Sequence, residues 1–418
     1  MLTIVGGTYR EICVHPSWDQ LYGSGLRAAT ACSELLPSNS ITLHTWISNQ
    51  DRQELKYRAQ SYGINFVANK RHDSIEFHYE HPLSRPTVYP WQNRPKLELG
   101  KPIRTENALI FGLLETECKV EAERIVYDPQ ASQQTKNLFT PHNHVDALCT
   151  VANLKEAECL AKSLKIDYRG SGSLANRLAR AILRKSARHR NDVIIIKNGA
   201  YGATVCTKDS VAQIPSYRTD SVFKIGSGDV FSAVFAALWA AKRMEPVAAA
   251  QIASRSVAYY CNTASLPVPK DLDLLTSNYI ANPILKGRKT PHRIYLAGPL
   301  FNVPERWFVS ETKRCLEDCG LTVFSPLHDV GTGGTATYLA KKDLKGLDSC
   351  DLVFALLDGL DTGTIFEIGY ARARRKPIIA YGERVHESDL TMLKGTGAKF
   401  FNDYCTAIYQ ATWHAMSL

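Results

Sequence analysis

The chain has 418 residues, too many for one ordinary core, so two or three domains are expected. It is 44% apolar and 22% charged, with no apolar run near membrane-spanning length, which argues against a spanning segment, a membrane partner and a disordered chain. A net charge of +9 suits anionic small molecules, but the basic residues are scattered and form no continuous face interleaved with aromatics, so nucleic acid is not an expected partner.

The opening "MLTIVGGTYREICV" reads as a first strand and turn rather than a signal peptide. Eleven cysteines stand singly with no C-x-x-C pair, which fits reduced thiols in the cytoplasm and neither a zinc site nor a disulfide framework. The aromatic segments 74–81 and 87–92 alternate and read as an antiparallel flap. "IVYD" (125–128), "DALCTVA" (146–152) and "DVIIIKNG" (192–199) read as buried parallel strands, and "SLANRLARAILRKSA" and "DVFSAVFAALWAAKR" as helices. Residues 266–292 hold four prolines and mixed charge and read as a linker with one short helical piece. A fresh strand opens at Arg293, and strands and helices alternate from there through "PIIAYG". The fold class is α/β, as two doubly wound domains at 1–265 and 293–418 with parallel sheets.

Two clusters carry chemistry. "GSGD" places Gly226, Ser227 and Gly228 at the start of a long apolar helix, where free N–H groups and the helix dipole favour an anion. Asp229 beside them can take a proton from a hydroxyl during phosphoryl transfer, or it can be an ordinary acidic helix start. In the C-terminal part, Tyr295 on a strand, Asp343 on a helix, and Asp361 and Glu367 around Gly363 at a strand-to-helix junction should converge at strand ends. Several acids in one cleft raise some pKa values and suit attack on an anomeric carbon. Taken singly, Glu367 reads more readily as a cap of its helix and Asp361 as the end of a strand; taken jointly with Tyr295 and Asp343 they read as a site.

Residues 1–265 resemble the ribokinase-like (PfkB) sugar and nucleoside kinases. The resemblance rests on "GSGD", on "NLKE" (Asn153 to Glu156), on "KNGAYGATV" with Lys197, Gly199 and Gly202, on "YGSGLRAA" with Gly23 and Gly25, and on "YDPQ". It implies a parallel sheet with helices on both faces. Asp229 would be the base, and the 226–228 turn, Lys197, Gly199 and Gly202 would form the ATP side. Asn153 and Glu156 would organise magnesium indirectly. Gly23, Gly25, Arg27 and Glu11 would lie on the acceptor side. Departures stand at Phe223 and Lys224, where Asp-Thr is usual, at Arg27 for Asn and at Glu11 for Asp. The stretch from Glu11 to Gly23 suggests a trimmed lid. Arg27 would suit a phosphate or carboxylate on the acceptor. A degenerate kinase that binds nucleotide and regulates the other domain is the alternative.

Residues 293–405 resemble the nucleoside 2-deoxyribosyltransferase family, through "YLAGPLF" with Gly298, the Asp343 to Asp351 interval, and D-x-G-x-x-x-E followed by "IGYA". The resemblance implies a smaller flavodoxin or Rossmann-like sheet that needs no cofactor. Glu367, in the first helical turn, would be the nucleophile of a covalent glycosyl intermediate. Tyr295 would orient it, and Asp361 and Asp343 would hold and protonate the base. It also implies a homo-oligomer, a dimer or higher. Ser388 and Lys394 would suit a substrate phosphate, as in related nucleotide hydrolases. Together the two resemblances imply a bifunctional enzyme acting on nucleoside, nucleotide or sugar substrates with ATP and magnesium.

Overall fold

The structure is a computed structural model that describes residues 1–90, 101–114, 119–130, 144–170, 172–186, 191–284 and 292–418. By internal contacts it forms two compact units, one of Met1–Thr219 with Phe223–Ile284, the other of Asp220–Val222 with Leu285–Leu418.

In the first unit the strands are β1 (Leu2–Val5), β2 (Arg10–Cys13), β3 (Trp18–Leu21), β4 (Ile41–Ile47), β5 (Asn65–Lys70), β6 (Glu76–Tyr79), β7 (Thr87–Tyr89), β8 (Ile103–Phe111), β9 (Val120–Asp128), β10 (His144–Asn153), β11 (Asn191–Lys197), β12 (Ala203–Thr207) and β13 (Val211–Ile214). The helices are α1 (Gly23–Ala31), α2 (Arg52–Ser61), α3 (Leu154–Ser163), α4 (Leu174–Ser186), α5 (Ser227–Phe235), α6 (Pro246–Thr263) and the short α7 (Leu272–Leu275). Nine of the described strands form one sheet in the order β13-β12-β11-β10-β9-β8-β1-β4-β5, parallel except for the antiparallel edge β11-β12-β13. Strands such as "LTIV" and "VIII" are apolar without alternation because both of their faces are covered, as a parallel sheet requires.

A second sheet, β3-β2-β6-β7, is made by two hairpins joined through the parallel pair β2-β6. The expected flap is therefore present, and the lid is a four-stranded sheet rather than a trimmed one; residues 91–92 of the second flap segment lie outside the described residues. Helix α5 does not stop at Phe235 but continues as π-helix over Ala236–Ala241. Residues 266–284, expected to begin a linker, lie by contact in the first unit, where Val268 and Leu272 join the core. Residues 285–291 of that expected linker lie outside the described residues.

The second unit adds β14 (Arg293–Ala297), α8 (Val303–Asp318), β15 (Thr322–Phe324), α9 (Ala336–Asp348), β16 (Leu352–Leu356), α10 (Thr362–Ala373), β17 (Ile378–Tyr381), α11 (Thr391–Gly395), β18 (Lys399–Phe401) and α12 (Tyr404–Ala415). Its strands run in the order β15-β14-β16-β17-β18, all parallel. Side chains at the helix starts satisfy the free N–H groups: Asn302 and Glu305 form a capping box, and Asp361 and Asp403 accept from the third helical N–H. Strand β18 and helix α12 extend the array beyond the last strand read from sequence.

Candidate active sites

In the second unit, Tyr295 is fully buried at the centre of β14, with its ring stacked on Phe324 at 5.6 Å. Its hydroxyl donates to Glu367 Oε1 at 2.5 Å. Burial, with Glu367 next in effect, pushes the phenol well above its ordinary range, so it stays a donor. Burial likewise pushes Glu367 up to about 7; Tyr295 opposes the rise, and the charges of Asp343 and Asp361 add to it. Those two carboxylates therefore lie within electrostatic reach of Glu367. Asp343 is itself raised by burial, and its Oδ1 is buried with no hydrogen-bond partner among the described residues.

Asp361 has a second duty. It is the N-cap of α10, accepting from Thr364 N at 2.7 Å and Thr364 Oγ1 at 2.9 Å. Because α10 begins at Thr362, Glu367 sits in the second helical turn, not the first as expected. The six-residue spacing puts the cap and the carboxylate on the same helix, about 1.7 turns apart along it. Gly363 faces the cap, since a Cβ there would lie 3.1 Å from Asp361 Oδ2; at Gly298 a Cβ would press on Leu356 at 3.2 Å. Ser388 is exposed on a short 3-10 turn, with its hydroxyl against Asp389 at 3.4 Å, and Lys394 pairs with Glu387 at 2.6 Å. Neither is drawn into the acid cluster within this chain. Sequence reasoning missed Phe324 and Thr364, which hold Tyr295 and Asp361, because both act only through packing or capping.

In the first unit, Asp128, Asn153 and Lys197 end the adjacent strands β9, β10 and β11. Lys197 Nζ donates to Asp128 Oδ2 at 2.6 Å, as does Ser232 Oγ at 2.6 Å. Burial works against the Lys197 ammonium, but Asp128 and then Glu156 outweigh it and its pKa is raised. A Cβ at Gly228 would lie 3.3 Å from Lys197 Nζ, so the ammonium stands beside the first turn of α5. Lys224 Nζ donates to Ser227 Oγ at 2.6 Å at the same helix start. The turn thus carries two lysines, one of which, Lys224, the sequence reading treated only as a departure.

Asp229 is nearly buried, accepting from Gln130 Nε2 at 2.6 Å and from Arg27 Nη1 at 3.3 Å. Burial pushes it up to about 6, and Arg27 opposes the rise. Arg27 is 1% exposed and forks onto Glu11, with Nη1 to Oε1 at 2.7 Å and Nη2 to Oε2. Arg27, read from the sequence as suited to an acceptor phosphate, has its terminal nitrogens engaged by two carboxylates of the chain itself. Gly23 and Gly25 serve packing, because a Cβ at Gly25 would lie 2.5 Å from Gly6 O and one at Gly23 would lie 2.6 Å from Gly7 O. They let α1 lie against the end of β1. Gly199 opens a 3-10 turn after β11, and a Cβ at Gly202 would strike Ile214 O at 2.0 Å. Asn153 and Glu156 form a capping box at the start of α3, with Asn153 Oδ1 accepting from Glu156 N and Glu156 Oε2 from Asn153 N. Their spacing therefore has a helix-capping explanation. Glu156 is half-buried and acts electrostatically on Lys197, so the pair fits an indirect role toward a magnesium–phosphate group.

Each unit thus gathers charged side chains on its parallel strands and the helices that follow them, lysines and an acid beside a glycine turn in the first and three acids around a phenol in the second. Residues 110–265 match the family model described as pfkB family carbohydrate kinase, and residues 294–402 match that described as nucleoside 2-deoxyribosyltransferase. The chain joins an N-terminal ribokinase-like (PfkB) region to a C-terminal domain of the nucleoside 2-deoxyribosyltransferase family. No curated protein matches the chain. Among solved structures, ribokinase from Thermotoga maritima aligns at 14% identity over 66% of this chain and 99% of its own, with a TM-score of 0.47. Ribokinase from Cryptococcus neoformans var. grubii in complex with ADP aligns at 13% identity over 66% and 99%, with a TM-score of 0.48. Aminoimidazole riboside kinase from Salmonella enterica aligns at 14% identity over 66% and 99%, with a TM-score of 0.47. Among the described residues, no helix is long and apolar enough to cross a membrane.

Proposed function

We propose that the second unit breaks the N-glycosidic bond of a 2'-deoxynucleoside or its phosphate through Glu367. The observation that carries this is the 2.5 Å hydrogen bond from buried Tyr295 to Glu367, with Asp343 and Asp361 in electrostatic reach. Glu367 in its ionised form attacks C1' and forms an ester as the bond to the base breaks. The leaving base takes a proton from Asp343 or Asp361. A second base, or water, then attacks C1' and frees Glu367, which separates transfer from hydrolysis only at the second step. Tyr295 holds the attacking oxygen in place and limits the rise in its pKa.

For the first unit the reading is phosphoryl transfer from ATP with magnesium to a sugar or nucleoside hydroxyl. Asp229 would act as base, and the Gly226–Gly228 turn with Lys197 and Lys224 would receive the phosphate charge. Bound magnesium supplies charge neutralisation for the phosphates, and Asn153 and Glu156 would order its surroundings. The buried, electrostatically poised Asp229 beside that turn supports this reading.

The test is intact mass spectrometry after incubation with a panel of deoxynucleosides. One deoxyribosyl unit should add to the native chain and none to Glu367→Ala. Equal labelling of both would overturn the assignment. Release of free base from a deoxynucleoside, with MgATP consumption measured in parallel, separates the two units.

A further inference from the structure

In the first unit, Glu11, Arg27 and Asp229 form a buried charged bridge. We propose that Arg27 is the positioning residue of the first unit, whose guanidinium, anchored on Glu11, fixes where the Asp229 carboxylate points and keeps it ionised. This rests on the phosphoryl-transfer reading of that unit.

Arg27 cannot serve as a substrate ligand where it stands. It is 1% exposed, and its two terminal nitrogens meet carboxylates 16 and 202 residues away in sequence. Its plane has little freedom. The fork onto Glu11 is bidentate, the ring of Tyr22 lies 5.0 Å from the guanidinium carbon, and Gly226 packs against the guanidinium as well. A Cβ at Gly226 would lie 2.1 Å from Arg27 Nε, so the glycine that starts the α5 turn also admits the arginine. The contact to Asp229 Oδ2, at 3.3 Å, is longer than the 2.7 Å contact to Glu11. Asp229 is the looser partner, held but able to exchange one hydrogen bond for a substrate hydroxyl.

The charges decide what this does. Asp229 is faced by Arg27 from α1, Glu11 from β2, Asp128 from β9 and Lys197 from β11. Gln130 donates to its other oxygen, and the phenol of Tyr79 from β6 lies in the same field. Tyr260 from α6 lies within reach of Arg27 and Glu11, and its hydroxyl donates to Ile225 O. Three carboxylates thus face two cations. Without Arg27 a single ammonium, already bonded to Asp128, would remain, and Asp229 would take a proton near neutral pH.

The test compares the native full-length chain with Arg27→Met, Arg27→Lys and Arg27→Met/Asp229→Asn. The first readout is urea unfolding against pH, followed by hydrogen exchange in peptides from α1 and α5. A folded pKa of about 6 against an ordinary 3.8 means that stability falls as pH rises between those values and is level above them. In Arg27→Met the fall should continue at least one pH unit higher. Arg27→Lys, which keeps the charge without the fork and guards against a variant that does not fold, should lie between. The double variant should lose the extended fall. Identical pH profiles for native and Arg27→Lys chains, or an extended fall that survives Asp229→Asn, would overturn the proposal. The second readout is phosphoryl transfer from MgATP to ribose and a panel of ribosides. The acid limb of kcat/KM should move up by about one unit or more in Arg27→Met, and by less in Arg27→Lys. Absence of transfer by the native chain would refute the kinase reading, while the unfolding profiles would still decide the role of Arg27.

Discussion

Tyr295 and Glu367, 72 residues apart, meet through a 2.5 Å hydrogen bond, with the phenol supplied by the middle of a strand and the carboxylate by the second turn of a helix. The strand residue is fixed by sheet pairing to β15 and β16 and by the Phe324 ring. For the nucleophile proposed above, such a support reduces the orientational entropy lost on reaching a transition state.

Removing the phenol should therefore weaken both aim and ionisation. Tyr295→Phe deletes a hydrogen bond to a charged group, worth roughly 1.5–3 kcal/mol. The rate of glycosyl-enzyme formation at pH 7 should fall roughly 10- to 100-fold. The acid limb should also move to higher pH, because Tyr295 is the group that opposes the rise of Glu367. Single-turnover base release against pH measures both effects.

Glu367 itself sets a pH dependence. Its folded pKa of about 7 exceeds the ordinary 4.5, so the folded chain binds that proton more tightly than the unfolded chain. Its contribution to stability is greatest below about pH 4.5, is lost as pH rises toward 7, and stays low above. Activity runs the other way, since attack needs the anion. Glu367→Gln should flatten the fall in stability between pH 4.5 and 7 while abolishing the adduct, as followed by calorimetry and mass spectrometry.

Asp361 offers a way to separate capping from chemistry. Asn is as good an N-cap as Asp, whereas Ala loses about 1 kcal/mol at such positions. Asp361→Asn should leave the thermal midpoint close to native and still depress base release. Asp361→Ala should lower both. Equal activity in native and Asn chains would limit Asp361 to its helix role.

Gly226 should tolerate no side chain. It has φ of +74°, and an added Cβ would strike the buried guanidinium. Gly226→Ala should destabilise the first unit by roughly 1–3 kcal/mol through strain and overpacking. Base release by the second unit provides the internal control.

What could be read from the sequence was local. "DTGTIFE" and "GSGD" announce themselves because turn, glycine and acid are neighbours in the chain, and the strands "VIII" and "LVFAL" because parallel sheets bury both faces. Other features were non-local or ambiguous. Arg27 looked available because nothing within its own helix reveals a partner on β2. N-x-x-E reads alike as a phosphate motif and as a capping box, and the structure shows the second geometry at Asn153. Helix α12 passed unnoticed because almost all of its residues are buried, so no polar stripe marks its period. The small sheet was half visible as two hairpins, but the parallel pairing of β2 with β6 that unites them spans more than sixty residues.

The double duty of Asp361 has a bearing on redesign. A residue that starts a helix and is also proposed to contact the departing group is constrained twice, because a library at that position alters helix stability together with the pocket. Asp343 carries no such obligation through its uncommitted Oδ1, so an engineer seeking acceptance of altered bases would gain more from randomising around α9 than around the loop before α10.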